Sequence, residues 1–514
     1  MIFIAQIQVN NLTFSYEGSA DDVLENVSFN IDTNWKLGFI GRNGKGKTTL
    51  LRLLMGDYKY QGSITASTYF DYFPYQVSRT DAEKTASELI EKWKPGIEEW
   101  QVLVQMNQIQ MDPECLYRPI KNLSHGERTR IMLAVLFAGE NEFLLIDEPT
   151  NHLDQAARDI VKNYLASKKG FILVSHDRDL LDAVCDHVLV MNRSTIEVQA
   201  GNFSTWWENK EKSDAFAKAE NEKHLKEIGK LRAAADRTGR WADKSEGSKI
   251  GYDPIKETDR SISTRSYIGA KTKKMQARVK AYEKRVDREI EEKEGLLQDI
   301  ENVVDLKVMP LEFHKNILVD AQKLSLSYKE STPLFNNLTF QIKRGDRIVI
   351  SGENGCGKSS IIKAIMKENN SREFAGLDNL EIVDGALNVS SGLVISYINQ
   401  DTSFLKGTLE DFCQYRGLDR SLFLAILRQL DFNREQFSKN MEDFSEGQKK
   451  KVLIAASLIT PAHLYIWDEP LNYIDVFSRI QIEKLILDAC PTMLIVEHDA
   501  RFQEKVATDV IKLP

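Results

Sequence analysis

Two stretches of this chain carry the spacing GxxxxGK[ST]: "GRNGKGKT" from Gly41 to Thr48 and "GENGCGKS" from Gly352 to Ser359. Glycines at those positions let successive backbone N–H groups converge on one concavity at a helix N-terminus, where anions are favoured. Lys47 is expected to reach the β- and γ-phosphates of a nucleotide, and Thr48 to offer its hydroxyl to Mg²⁺; Lys358 and Ser359 repeat these roles. Gly41, Asn43, Gly44, Gly46 and Thr49 complete the first phosphate loop, and Gly352, Asn354, Gly355, Gly357 and Ser360 the second. Asp147 and Asp468 each end an apolar run and can hold Mg²⁺, while the next residues, Glu148 and Glu469, can orient and help deprotonate an attacking water. His176 and His498 follow later apolar runs at similar spacing, as γ-phosphate contacts would. Gln76 and Gln400 are candidates to sense Mg²⁺ or water, and Tyr16 and Tyr328 to stack on adenine. A strand-end acid, a histidine or a core tyrosine is ordinary when alone; here each occurs twice, in the same order. The chemistry these groups would suit is Mg²⁺-assisted hydrolysis of a nucleotide phosphate.

The elements that must position these residues are duplicated too. "FLLIDEPTNHLD" (Phe143–Asp154) pairs with "LYIWDEPLNYID" (Leu464–Asp475), "LVSHD" (Leu173–Asp177) with "IVEHD" (Ile495–Asp499), and "LSHGE" (Leu123–Glu127) with "FSEGQ" (Phe444–Gln448). Each copy reads as α/β: short apolar strands enter Gly-rich turns and helices, which implies a largely parallel sheet with helices on its faces. Ligands of such sheets gather at the carboxyl ends of strands. The expected organisation is a nucleotide-binding domain at 1–204, a linker at 205–305 and a second nucleotide-binding domain at 306–514. The 514 residues carry a net charge of −8, which excludes a generic nucleic-acid binder. The five cysteines, Cys115, Cys185, Cys356, Cys413 and Cys490, are scattered with no CxxC pair, which argues against a zinc site or disulfide framework and for a reducing compartment. No run reaches the roughly 18 apolar residues of a membrane span, and "MIFIAQIQVNN" is no secretory leader, so a cytoplasmic protein without membrane contact is expected.

The linker changes character. Met275, Val279, Tyr282, Val286 and Ile290 step by three or four, and Phe216, Leu225, Ile228 and Leu231 do so less cleanly. A helical hairpin is expected: an arm over 205–240, an irregular tip over 241–267 that holds Gly247, Gly251 and Pro254, and a return arm over 268–305. From Ile228 to Lys280 there are fourteen Lys and Arg against six Asp and Glu, a local charge of +8 in an acidic chain. Trp241, Tyr252 and Tyr267 interleave with those cations. The plain alternative is a solvated, charge-rich linker; the pattern better suits RNA, where cations meet phosphate and rings stack on bases.

The ordered set of aromatic residue, phosphate loop, glutamine, LSxGE-like segment, acidic pair and histidine resembles the nucleotide-binding domains of ABC ATPases, over both halves. Two such domains joined by a charged helical linker resemble the ABC-F proteins, which act on ribosomes. "SEGQKKK" (Ser445–Lys451) and "PLNYIDV" (Pro470–Val476), with the long linker, resemble the antibiotic-resistance branch, and within it the Lsa-type proteins. The resemblance implies a monomer whose halves close head to tail around two intramolecular ATP sites. Lys47, Asp147 and Glu148 would share one nucleotide with Ser445 and Gly447, and Lys358, Asp468 and Glu469 the other with Ser124 and Gly126. It implies binding to the 70S ribosome, with the hairpin in the E site near 23S rRNA and the P-site tRNA, and protection against lincosamides, pleuromutilins and group A streptogramins. Trp241, Lys244, Tyr252 and Tyr267 would make contacts at the tip, and Lys273, Lys274 and Arg278 would meet RNA phosphate. The alternatives are a housekeeping ABC-F translation factor and the ATPase subunit of a membrane transporter. The chain departs from the family pattern at His125 and Glu446, which replace a glycine after the signature serine and are expected to add bulk beside the partner site's γ-phosphate. Phe444, Gln448 and the large Trp467 are further departures, and the second half is expected to hydrolyse more slowly or to serve mainly to hold ATP.

Overall fold

A computed structural model describes residues 6–16, 22–139, 142–151, 153–192, 195–247, scattered positions between 277 and 288, and 310–329, 332–369, 379–430, 432 and 434–513. Two compact units result: Met1–Trp206 with Val304–Pro514, and Trp207–Val303.

Each half of the first unit is α/β. In the N-terminal half a six-stranded sheet runs in the order Tyr69–Phe73, Glu142–Asp147, Phe171–Val174, Lys36–Gly41, His187–Met191, Ile196–Ala200, and only the last pairing is antiparallel. The C-terminal half repeats this with five parallel strands, Ile395–Ile398, Leu464–Asp468, Met493–Val496, Arg347–Ser351 and Asp509–Lys512. The central strands are buried along almost their whole length, and so read as continuous apolar runs such as "FILV" and "MLIV". A three-stranded antiparallel sheet covers each parallel one. It is made from Leu24–Asp32, Gln6–Phe14 and Gln61–Ala66 in the first half, and from Phe335–Lys343, Ile317–Tyr328 and Leu380–Val389 in the second. Between the layers lie Ile7, Val9, Leu37, Phe39, Leu50 and Ile172, and their counterparts Val319, Ala321, Ile348, Ile350, Ile361 and Leu494.

Helices Lys47–Met55 and Lys358–Glu368 start directly at the ends of the central strands. Their N-terminal residues, Gly46 and Gly357, have φ of 104° and 103°, and no side chain caps either helix. A Cβ on Gly46 would stand 2.6 Å from Val23 Cγ1. Gly46→Ala is therefore expected to destabilise the chain by about 1–3 kcal/mol. It should also weaken ATP binding by roughly tenfold or more, because the loop's N–H groups lose their common focus. Urea unfolding and titration with a fluorescent ATP analogue check the two effects.

The second unit contains most of helix Phe203–Gly247. This helix continues through the start of the expected irregular tip. "WADKSEG" holds no proline, and its only glycine stands at the helix end, so nothing breaks the helix earlier. The buried face of the arm also differs from expectation: Ala217 and Ile228 are buried, while Phe216 and Leu225 are 65% and 56% exposed. The inward positions step through 217, 221, 224 and 228, and large apolar residues off that stripe face solvent. Among the described residues no helix is long and apolar enough to cross a membrane.

Candidate functional site

In the first half Lys47 folds back over its loop, donating to Gly41 O at 2.7 Å and Arg42 O at 3.1 Å, with Asn43 Oδ1 at 3.3 Å. Thr48 Oγ1 donates to Asp147 Oδ2 at 2.9 Å, so the proposed Mg²⁺ hydroxyl and carboxylate meet across the end of the sheet. Tyr72 also donates to Asp147 Oδ2, at 3.0 Å. His176 Nε2 lies 3.0 Å from Asn43 Oδ1 and 3.3 Å from Glu148 Oε1. Burial, with Lys47 and Arg479 nearby, holds the imidazole well below the ordinary histidine value, so it is neutral. A carbonyl oxygen only accepts, so Nε2 is the protonated nitrogen. Burial and the neighbouring Asp147 push Glu148 up to about 8, and burial raises Asp147 as well.

The second half repeats the frame with different ties. Lys358 donates to Gly352 O at 2.9 Å and Glu353 O at 2.7 Å. Ser359 acts on Asp468 to offset part of the rise that burial imposes on its pKa, and the buried Asp468 Oδ1 has no hydrogen-bond partner among the described residues. Glu469 Oε2 accepts from Gln400 Nε2 and from Asn472 Nδ2, each at 2.8 Å. His498 Nε2 stands farther off, 3.8 Å from Glu469 Oε1, and burial lowers its pKa to about 4. Gln76, by contrast, makes no such bond to Glu148 among the described residues. Both glutamates have left-handed backbones, φ 51° for Glu148 and 48° for Glu469, and their N–H groups bond Val174 O and Val496 O at 2.9 Å. Non-glycine residues held in that region carry about 1–3 kcal/mol of strain and cluster at functional sites.

Tyr16 and Tyr328 reach back to the phosphate-loop helices, their hydroxyls 2.8 Å from Thr49 Oγ1 and 3.1 Å from Ser360 Oγ. The halves meet head to tail. Asn43 Nδ2 donates to Tyr473 O at 2.7 Å, and a Cβ on Gly447 would lie 3.4 Å from the same nitrogen. The first phosphate loop thus faces the signature loop of the second half. The second loop borders a cavity of about 580 Å³, lined by Gly355, Lys358, Gln400, Glu469 and His498 together with His125 and Leu153 of the first half. Ser124 and Ser445 cap their signature helices through capping boxes with Glu127 and Gln448, and Gly126 packs near Leu153. Arg158 crosses between halves to His498 O at 3.3 Å.

One departure behaves differently from expectation. Glu446 turns into its own half, accepting from Thr402 Oγ1 at 2.6 Å and pairing with Lys449 at 3.0 Å, while His125 does line the cavity. Trp467 is fully buried and its Nε1 donates to Ser457 Oγ at 2.9 Å, which explains how the strand accepts so large a residue. Sequence reasoning missed Tyr72, Asn472, Arg158 and the buried Lys451–Asp475 pair at 2.9 Å. Asn472 had a visible signal, since Asn151 occupies the same place after Glu148. The side chains of Trp241 and Lys244, and Tyr252, Tyr267, Lys273, Lys274 and Arg278 altogether, lie outside the described residues.

ATP and Mg²⁺ fit these residues: two uncapped helix N-termini with open space beyond Gly44 and Gly355, and an unpaired carboxylate oxygen on Asp468. Fold and site define a tandem P-loop ATPase. The family pattern described as "ABC transporter" matches residues 24–151 and 335–472. The chain is 27% identical over 496 residues to "Ribosome protection protein VmlR" of Bacillus subtilis (strain 168), covering 96% of this chain and 84% of that protein. It is 25% identical to "Putative ATP-binding protein YdiF" of the same organism, covering 99% of this chain and 80% of that one. It is 24% identical to "ABC transporter F family member 5" of Arabidopsis thaliana, covering 99% and 75%. Among solved structures, the complex of archaeal ribosomal stalk protein aP1 and archaeal ribosome recycling factor aABCE1 shares the fold, with a TM-score of 0.61 and 18% identity over 98% of this chain and 87% of that chain. The chain belongs to the ABC transporter family, as an ATPase of the ABC-F type.

Proposed function

We propose that this ATPase binds the 70S ribosome and protects it from antibiotics acting at the peptidyl-transferase centre, with its linker entering through the E site. The observation that carries the reading is the pairing of head-to-tail phosphate and signature loops with a basic inter-domain stretch and a full-length likeness to a ribosome protection protein. Closure joins Asn43 to the Tyr473–Gly447 segment and brings His125 and Leu153 to the second loop. Nucleotide between the halves then links phosphate chemistry to their separation. When bound, Mg²⁺ neutralises developing phosphate charge. Asp147 with Thr48 and Asp468 with Ser359 are the groups that hold it. Lys47 and Lys358 bind the phosphates, Glu148 and Glu469 orient water, and His176 and His498 present a neutral N–H. The basic linker then meets rRNA and tRNA phosphate, and Trp241, Lys244, Tyr252 and Tyr267 act at its tip.

Expression in a drug-sensitive bacterium is expected to raise inhibitory concentrations of lincosamides, pleuromutilins and group A streptogramins by roughly fourfold or more, without lowering intracellular drug. The Glu148→Gln/Glu469→Gln chain is expected to sediment with 70S ribosomes only when ATP is present. Cosedimentation without a change in susceptibility leaves a housekeeping ABC-F factor, and lowered drug accumulation points to a transporter subunit. Absence of ATP-dependent cosedimentation rejects the ribosomal reading.

A further inference from the structure

The two halves serve as internal controls for one another. The fifth residue after the signature serine is Thr129 in the first half and Lys450 in the second. The residue before the histidine is Ser175 in the first half and Glu497 in the second. All four are buried, Lys450 at 3% and Glu497 at 2% exposure. Two neutral residues in one half are thus two charged residues in the other, and neither of the charged ones is absorbed by the site described above.

Their bonds lead to the reacting groups. Lys450 Nζ donates to Asn399 O at 3.2 Å, the carbonyl just before Gln400, and Gln400 in turn donates to Glu469. Glu497 Oε2 accepts from Leu471 N at 3.1 Å and Oε1 from His498 N at 2.8 Å. One carboxylate therefore clips the loop after Glu469 to the proposed γ-phosphate histidine. In the first half Ser175 Oγ only accepts from Asp177 N, at 3.1 Å, and makes no link to the Glu148 loop among the described residues. The carboxylates acting on the Lys450 ammonium are Glu469, Asp468, Glu497 and Glu446; the cations acting on Glu497 include Arg479 and Arg158. A third buried acid beside Glu469 and Asp468 is tolerated only with a buried cation close by.

We propose that Lys450 and Glu497 form a charged brace, present in the second half alone, that positions Gln400, Glu469 and His498 for turnover at the second nucleotide site. The brace rests on the reading of Glu469 as the water-orienting group. Both are positioning residues, acting through other side chains.

The test measures kcat and KM for ATP in an E148Q chain, where the second site supplies the turnover, and in the unmodified chain. K450T is expected to lower kcat in E148Q by roughly tenfold with KM changed by less than about threefold, because the buried acids around Glu469 then lose one cation and the turn before Gln400 loses its tie to Lys450. K450R is expected to stay within about threefold of the parent, and K450T/E497S, which copies the first half, to recover about half of the loss on a logarithmic scale. A K450T kcat within about twofold of the parent overturns the brace, as does a double variant no faster than K450T. Should K450T not fold, K450T/E497S decides, since it removes one buried charge of each sign: kcat roughly threefold or more below the parent supports the brace, and parity overturns it. Turnover in E148Q/E469Q within about tenfold of the unmodified chain overturns instead the assignment of the glutamates, and the same substitutions in the unmodified chain then judge the brace by total turnover lost.

Discussion

Replacing Glu148 and Glu469 together by glutamine is expected to lower steady-state ATP turnover by about 100-fold or more, the usual contribution of a positioned general base. The shape of the site should survive. Both residues are held by backbone bonds to Val174 O and Val496 O, independent of the side-chain charge. A glutamine oxygen can still accept from Gln400 and Asn472. ATP binding should therefore remain within about threefold of the parent while phosphate release collapses, the signature of a group needed in the transition state alone. Single variants should differ, because Glu469 is pinned by two amides and Glu148 sits against its histidine at 3.3 Å. Phosphate-release kinetics and equilibrium nucleotide binding check both statements; a double variant that keeps turnover within about tenfold refutes the roles assigned.

The second large effect lies between the halves. Arg178 and Glu483 form a bidentate pair in which both side chains are 3% exposed, and Arg178 also approaches Asp499 at 3.6 Å. Arg501 extends the network to Asp179 and Asp182, and Arg479 bonds Asp499 at 2.9 Å. Arg178→Met leaves Glu483 buried without its main partner and is expected to destabilise the chain by about 3 kcal/mol, the low end for breaking a buried pair. The low end applies because Lys505, 3.6 Å from Glu483, can take up part of the charge. Arg178→Met/Glu483→Leu is expected to recover most of that loss, since apolar replacement of a whole buried pair is often neutral. Urea midpoints of the parent, the single and the double variants decide. A single variant as stable as the parent means that the pair does not hold the halves together.

What was legible in the sequence followed from local spacing. The phosphate loops, acidic pairs and histidines announced themselves because strand, turn and helix fix their relative positions within a few residues. The head-to-tail closure came from the duplication plus the family likeness, and the Asn43–Tyr473 bond spans a separation of 430 residues. No local pattern marks Arg178, Glu483, Arg158 or Arg501, each of which bonds a residue of the other half. Glu446 was misjudged because side-chain direction at a helix N-terminus depends on what lies nearby, here Thr402 and Lys449. Spacing puts Phe216 and Leu225 on the apolar stripe with Ile228, whereas the buried stripe joins Ile228 to Ala217 and leaves the two larger residues exposed.

Solvent ions reach exposed charges far more readily than buried ones. With Arg178 and Glu483 shut away from water, washing the protein in concentrated potassium chloride should leave its halves joined, while the phosphate contacts proposed for the lysine- and arginine-rich stretch should weaken steeply. On the proposed ribosomal reading, ionic strength becomes a tool for stripping RNA during purification without taking the ATPase apart.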